Sequence, residues 1–242
     1  MKAIKQQLFS LKQSIKLTAV FVLLLWVIWG LEWLLDGQLF RYGIVPREVG
    51  ALWGIVWAPF IHGSAAHLAA NSTGLLILGS ALLFGYPRSR SKVLLLIWLV
   101  SGVGVWLAGR TSYHFGASGL TYGLFFFLFI VSLLRRDPRS IALMMVAFFM
   151  FGGMIYGIFP RDPGVSFESH LFGAVGGVLA AIWFWRDDPL PRRKRYDWEG
   201  EKEGEGEAAE EDKVGDLWQA ASAPEQPRYD VTESDDRSKP SQ

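Results

Sequence analysis

The chain has no cysteine among its 242 residues, which excludes a thiol nucleophile, a cysteine-bound metal and any disulfide. Histidine is almost as scarce, with only His62, His67, His114 and His170. A helical zinc-peptidase site needs H-E-x-x-H, and His62-Gly-Ser-Ala-Ala-His67 has neither the glutamate nor the spacing. No aspartate or glutamate falls in the middle of a long apolar run, which removes a pair of intramembrane aspartates as well. No internal repeat of fixed period is visible. No cofactor, metal or nucleic-acid partner is therefore expected.

Apolar residues are abundant instead, at 51% of the chain, with 14% aromatics and eleven tryptophans. Such a composition is that of a polytopic membrane protein, with the lipid bilayer as its surroundings. Runs close to the ~20 residues that cross a bilayer as helix lie at 16–35, 66–85, 93–109, 117–134, 140–158 and 168–185. The expected fold class is all-α, with six transmembrane helices. Polar residues begin the second run, and glycines interrupt the fifth. The first run follows Lys2, Lys5, Lys12 and Lys16, yet it is too long for a secretory signal. Trp26, Trp29 and Trp33 stand where small residues would mark cleavage, so an uncleaved helix is expected.

Positive charge alternates along the chain. Lys2, Lys5, Lys12 and Lys16 precede the first helix; Arg88, Arg90 and Lys92 fill the second loop; Arg135, Arg136 and Arg139 fill the fourth; Arg186 and Arg192 to Arg195 follow the sixth helix. The intervening loops hold only Arg41, Arg47, Arg110 and Arg161. Both termini are therefore expected on the cytoplasmic side of a bacterial plasma membrane. Residues 1–15 form the cytoplasmic N-terminus, 16–186 the membrane domain and 187–242 a tail with 17 acidic against 9 basic residues. That tail has little to bury and is expected to be disordered. Its Arg192 to Arg195 cluster suits anionic headgroups, and serves equally as a plain topology signal.

With this topology the second, fourth and sixth helices all run inward from the outer face. His67 and Asn71, Ser118, and His170 each fall in the first two turns of one of them. At ~1.5 Å per residue all four lie within roughly ten ångströms of the outer boundary. Polar groups are costly in hydrocarbon, and their convergence on one depth argues for a site. Ser118 and His170 supply a nucleophile and the base it requires, although a lone membrane serine is ordinarily a packing residue. His67 and Asn71 share a helix face at i and i+4. As donors they suit the oxyanion of a tetrahedral intermediate, and as polar glue between helices they would look the same. Without a carboxylate, the expected machinery is a Ser-His dyad. Tyr122, one turn beyond Ser118, either stacks on the imidazole or is an ordinary core aromatic. Gly119 and Gly123, and Gly173 and Gly177, form two G-x-x-x-G faces that let the fourth and sixth helices approach closely. His114 reads as a loop or interface histidine. Gly152, Gly153 and Gly157, small residues expected to pack weakly against their neighbours, make the fifth helix the candidate lateral gate.

Taken together, His67-x-x-x-Asn71, Gly116-Ala117-Ser118-Gly119 with Tyr122, and His170-x-x-Gly173-x-x-x-Gly177 resemble the rhomboid intramembrane serine proteases over about residues 16–186. The resemblance implies that Ser118 attacks the scissile carbonyl and that His170 takes its proton. It further implies that the Ser118 backbone N–H, His67 and Asn71 bind the oxyanion, that Tyr122 supports His170, and that single-span membrane proteins are the substrates. It also implies a long, partly helical first outer loop, matched here by Phe40 to His62 with Trp53, Trp57 and Phe60. His62 falls at a family position near the site, with loop packing as its expected role. Two residues depart from the pattern: Gly54 follows Trp53 where arginine is common, and apolar Leu83 replaces a carboxylate found late in the second helix of some members. The rival reading is a catalytically silent relative that binds membrane clients. A transporter would place charges or broken helices near the midplane, whereas these polar groups gather near one face.

Overall fold

The computed structural model describes residues 9–162 and 164–190, and its regular elements are helical apart from one isolated antiparallel bridge between Ile44 and His114. Helix α1 spans Leu11–Leu34. It starts earlier than its apolar run because Ser10 and Gln13 cap it reciprocally: Gln13 N–H donates to Ser10 Oγ at 3.2 Å and Ser10 N–H to Gln13 Oε1 at 2.8 Å. Only Ser14, Thr18, Val22 and Leu25 are buried along it, a narrow stripe at helical spacing. Most of its other side chains are apolar and exposed, the face that hydrocarbon covers.

An outer segment of short turns follows, with helical pieces at Leu39–Tyr42, Val49–Ala51, Gly54–Trp57 and Ala58–Phe60. Trp53 and Trp57 are exposed on it. Helix α2, Ala65–Gly85, starts at the N-cap Ser64, whose hydroxyl accepts from His67 N–H at 3.1 Å. It widens into a π-helical turn over Leu75–Gly79. Hydrogen bonds from Trp26 Nε1 to Ser72 Oγ (3.0 Å) and between Thr18 and Ser80 (2.7 Å) fasten α1 to it.

Helices α3 (Arg90–Ala108), α4 (Ser118–Arg135), α5 (Pro138–Phe151) and α6 (Phe167–Phe184) complete the domain. α4 is central: 11 of its 18 residues are buried. α6 packs against both α3 and α4. A Cβ added at Gly173 would overlap the Gly119 carbonyl, and one at Gly177 the Gly123 carbonyl, so α4 and α6 meet backbone to backbone.

Among the described residues, five helices are long and apolar enough to cross a membrane. The fifth in sequence falls short of the expected 140–158 span. α5 has 14 residues, about 21 Å of helix against a hydrocarbon core of ~30 Å. Gly152-Gly153 interrupts it, and a separate turn, Met154–Gly157, follows.

At the end remote from Ser118, a buried polar clamp joins three connections. Arg135 pairs with Asp137 at 2.9 Å and donates to the Trp185 and Asp188 carbonyls at 2.7 and 2.9 Å. The Asp188 carboxylate accepts from Arg88 N–H at 2.6 Å and Ser89 Oγ at 2.5 Å. Asp187 and Asp188, grouped by composition with the acidic tail, thus belong to the packed domain. The expected disordered tail beyond Leu190, with Arg192 to Arg195, lies outside the described residues.

Candidate active site

Ser118 is the first residue of α4, and the loop before it is fixed by two backbone donors. Gly116 N–H donates to Ala58 O at 2.8 Å, and Ala117 N–H to His62 Nε2 at 3.3 Å. Gly116 has φ +116°, a conformation that side-chain-bearing residues rarely adopt. A Cβ there would stand 2.6 Å from His67 Cε1 and 2.8 Å from His67 Nε2. The loop therefore passes directly over the His67 ring. At a helix start, amide N–H groups have no intrahelical acceptor, so Ser118 presents a hydroxyl and an N–H with no acceptor among the described residues at the positive end of α4.

From α2, His67 and Asn71 face this loop. Asn71 is 5% exposed, and its Nδ2 has no hydrogen-bond partner among the described residues. That nitrogen lies 3.6 Å from where a Gly116 Cβ would be. A buried donor left unpaired costs roughly 1–3 kcal/mol, which marks Asn71 as more than a tie between helices.

His170, on the first turns of α6, is 8% exposed. Its ring lies flat on Tyr122, with centroids 3.9 Å apart and planes within 6°. Its Nδ1 is 2.9 Å from the Gly157 carbonyl. A carbonyl only accepts, so Nδ1 carries the proton of the neutral ring and Nε2 keeps the lone pair. Gly157 therefore orients the imidazole. It is also packed so tightly against the Tyr122 hydroxyl that a Cβ there would overlap it. This corrects the expectation of a loosely packed glycine at the gate; Gly153, with nothing within 4 Å of an added Cβ, fits that expectation.

Ser118, His170, His67, Asn71 and Tyr122 line one cavity of about 810 Å³. Among the described residues no hydrogen bond joins Ser118 Oγ to His170; the two share the cavity without touching through a proton. Ala70 and Thr73 of α2, Phe151 at the end of α5 and Met154 just beyond it also line the cavity.

His62 and His114, read from sequence as loop histidines, both support the site. His62 is 2% exposed and stands edge-on to His67 at 5.1 Å. Burial, then the neighbouring His67, holds its pKa down at about 4. It is neutral at physiological pH, as its role as acceptor for Ala117 N–H requires. His114 is buried; it bonds Ser166 Oγ through Nδ1 at 2.6 Å and the Arg110 carbonyl through Nε2 at 2.9 Å, and exchanges backbone bonds with Ile44. It knits three outer loops together. Glu168, also buried, accepts from Arg110 N–H at 3.3 Å. No group of three or more His, Asp or Glu suited to a metal occurs among the described residues.

The Rhomboid domain profile matches residues 49–187 of the chain. Uncharacterized proteins of Mycobacterium tuberculosis and Mycobacterium leprae are each 35% identical over 170 residues, 66% of this chain and 71% and 67% of theirs. A Bacillus subtilis protein named, provisionally, as a rhomboid protease is 27% identical over 143 residues, 55% of this chain and 67% of its own length. With its packed helices, buried polar site and matched domain, the chain is an integral membrane protein that belongs to the rhomboid family.

Proposed function

We propose that the protein is an intramembrane serine protease that cleaves single-span membrane proteins near the outer face of the membrane, with both termini in the cytoplasm. The observation that carries this reading is the state of His170: its Nδ1 is engaged by Gly157, its ring is clamped on Tyr122, its Nε2 has no hydrogen-bond partner among the described residues, and the residue lines the cavity that holds Ser118. A serine hydroxyl is a weak nucleophile until such a base takes its proton. Closure of the Ser118–His170 distance on substrate binding is in keeping with the looser geometry of empty sites.

In the proposed mechanism Ser118 Oγ attacks the scissile carbonyl as His170 Nε2 accepts the hydroxyl proton. The carbonyl oxygen becomes an oxyanion, received by the Ser118 N–H, Asn71 Nδ2 and His67. Collapse expels the amine, which takes the proton from His170, and leaves an acyl ester on Ser118. Water then attacks the ester with His170 again as base. Tyr122 and Gly157 act as positioning residues, holding one ring orientation without touching the substrate.

The test is cleavage of a panel of single-span substrates in proteoliposomes by wild-type and Ser118→Ala protein. Wild type should cleave and Ser118→Ala should not, with its thermal unfolding unchanged. Cleavage by carefully purified Ser118→Ala, or none by wild type across the panel, would favour the client-binding alternative.

A further inference from the structure

The catalytic cavity has walls of apolar, hydroxyl, histidine and amide groups with a single exception. Among the described residues that line it, Arg110 is the one ionisable cation apart from the histidines, and none is a carboxylate. Arg110 follows the C-terminus of α3, and its side chain is 38% exposed. Three contacts hold its guanidinium. Its Nη2 donates to the Val165 carbonyl, the Phe167 ring lies 5.7 Å from its Cζ, and Glu168 Oε1 is 3.4 Å from its Nε. Glu168 itself is nearly sealed, at 6% side-chain exposure. The pair therefore presents the cavity with the arginine and hides the acid.

An arginine has five N–H donors in a rigid fork. Val165 takes one and Glu168 stands beside a second, so donors remain for another acceptor. A cation at the rim of a cavity with low-dielectric walls attracts carboxylates and repels ammonium groups more strongly than the same charge in open water. What enters this cavity, on the proteolytic reading above, is the chain being cut.

We infer that Arg110 is a specificity-determining residue that selects substrates with an aspartate or glutamate side chain on the outer side of the scissile bond, within a few residues of it. The inference rests on the proteolytic reading. Glu168 opposes the selection, because it competes for the same guanidinium. A purely structural Arg110, tying the 164–168 loop to α3, would behave differently: Glu168 would then support the same tie.

The experiment uses full-length protein in neutral detergent and a single-span substrate whose cut is mapped by mass spectrometry. Each of the residues flanking the cut on its outer side is replaced in turn by Asp, Asn or Lys, and kcat/KM is measured. At one position at least, wild type should prefer Asp over Asn by about tenfold, the scale of a charge-assisted hydrogen bond, and should disfavour Lys. Arg110→Gln should bring the Asp-to-Asn ratio to within about twofold. Glu168→Gln should keep or raise the ratio. Arg110→Lys, which keeps the charge, should keep part of it, and this variant decides the matter if Arg110→Gln does not fold. Absence of acid preference in wild type, its survival in Arg110→Gln, or equal loss of all substrates in Glu168→Gln overturns the inference. Ser118-dependent cleavage without acid preference sinks the inference alone, whereas no Ser118-dependent cleavage sinks the proteolytic reading as well.

Discussion

Asn71 shows how a single atom separates two roles that spacing leaves open. Glue between helices would have its amide hydrogens taken by a neighbouring helix, but Nδ2 is buried and unpartnered among the described residues, beside the loop that carries Ser118. A donor kept dry and unpaired serves a charge that appears only during reaction. Asn71→Ala should therefore lower kcat by ~100 to 1,000-fold with little change in KM; unchanged kcat with raised KM would place Asn71 in substrate recognition instead. His62 makes a second prediction, on pH. Its folded pKa is about 4 against roughly 6.5 when exposed. Between those values the unfolded chain binds the extra proton, so stability falls as pH drops. The contribution is whole above pH ~6.5, declines toward pH ~4, and is worth roughly 3 kcal/mol at most. Melting temperatures of wild type should fall more steeply across that window than those of His62→Gln, which keeps an acceptor without titrating. Parallel curves for the two would remove His62 as the cause. The polar side chains were legible in the sequence because each is rare in an apolar run. Gly157 was not, because what it contributes is a backbone carbonyl, identical in every residue type.

Between elements, sequence and structure agree best where backbone meets backbone. The G-x-x-x-G spacings on the fourth and sixth helices correspond to contacts in which Gly173 faces Gly119 and Gly177 faces Gly123. The same pairing puts Ser118, one residue before Gly119, opposite the turn of α6 that carries His170. An alanine at Gly173 must push α6 away from α4. A misplacement of about 1 Å at a reacting pair can cost on the order of 100-fold in rate, so Gly173→Ala should lose at least that much. Gly153→Ala, in open space, should stay within about twofold. Equal rates for both variants would mean that the helix contact does not set the dyad. What the sequence hid at this scale is length. An apolar run over 140–158 reads as one span, yet Gly152 and Gly153 end α5 at Phe151. The cap at Asp137, with Pro138 behind it, fixes where the helix begins, while the turn after the break brings Gly157 onto Tyr122, a tertiary contact that periodicity cannot report.

Across the whole domain, the two ends differ in kind. One end carries the clamp of Arg135, Asp137 and Asp188, whose ion pair and carbonyl contacts are buried; Arg88, Arg90, Lys92, Arg136 and Arg139 lie in or beside the same connections. The other end carries the cavity and the outer loops. The short α5, ended by Gly152 and Gly153 at the cavity end, is the candidate gate for a spanning substrate. Ala70 and Thr73 of α2 and Phe151 and Met154 at and beyond the end of α5 line the cavity. Because the chain has no cysteine, Thr73→Cys with Phe151→Cys gives a unique pair for a bifunctional maleimide. Cross-linked protein should lose cleavage of a single-span substrate, which must arrive sideways from the bilayer. It should still hydrolyse a small water-soluble ester, which reaches Ser118 from the aqueous side together with the water that deacylation needs. Loss of both activities would show that the cross-link distorts the dyad. Retention of both would show that spanning substrates arrive by another path, and would remove α5 as the gate.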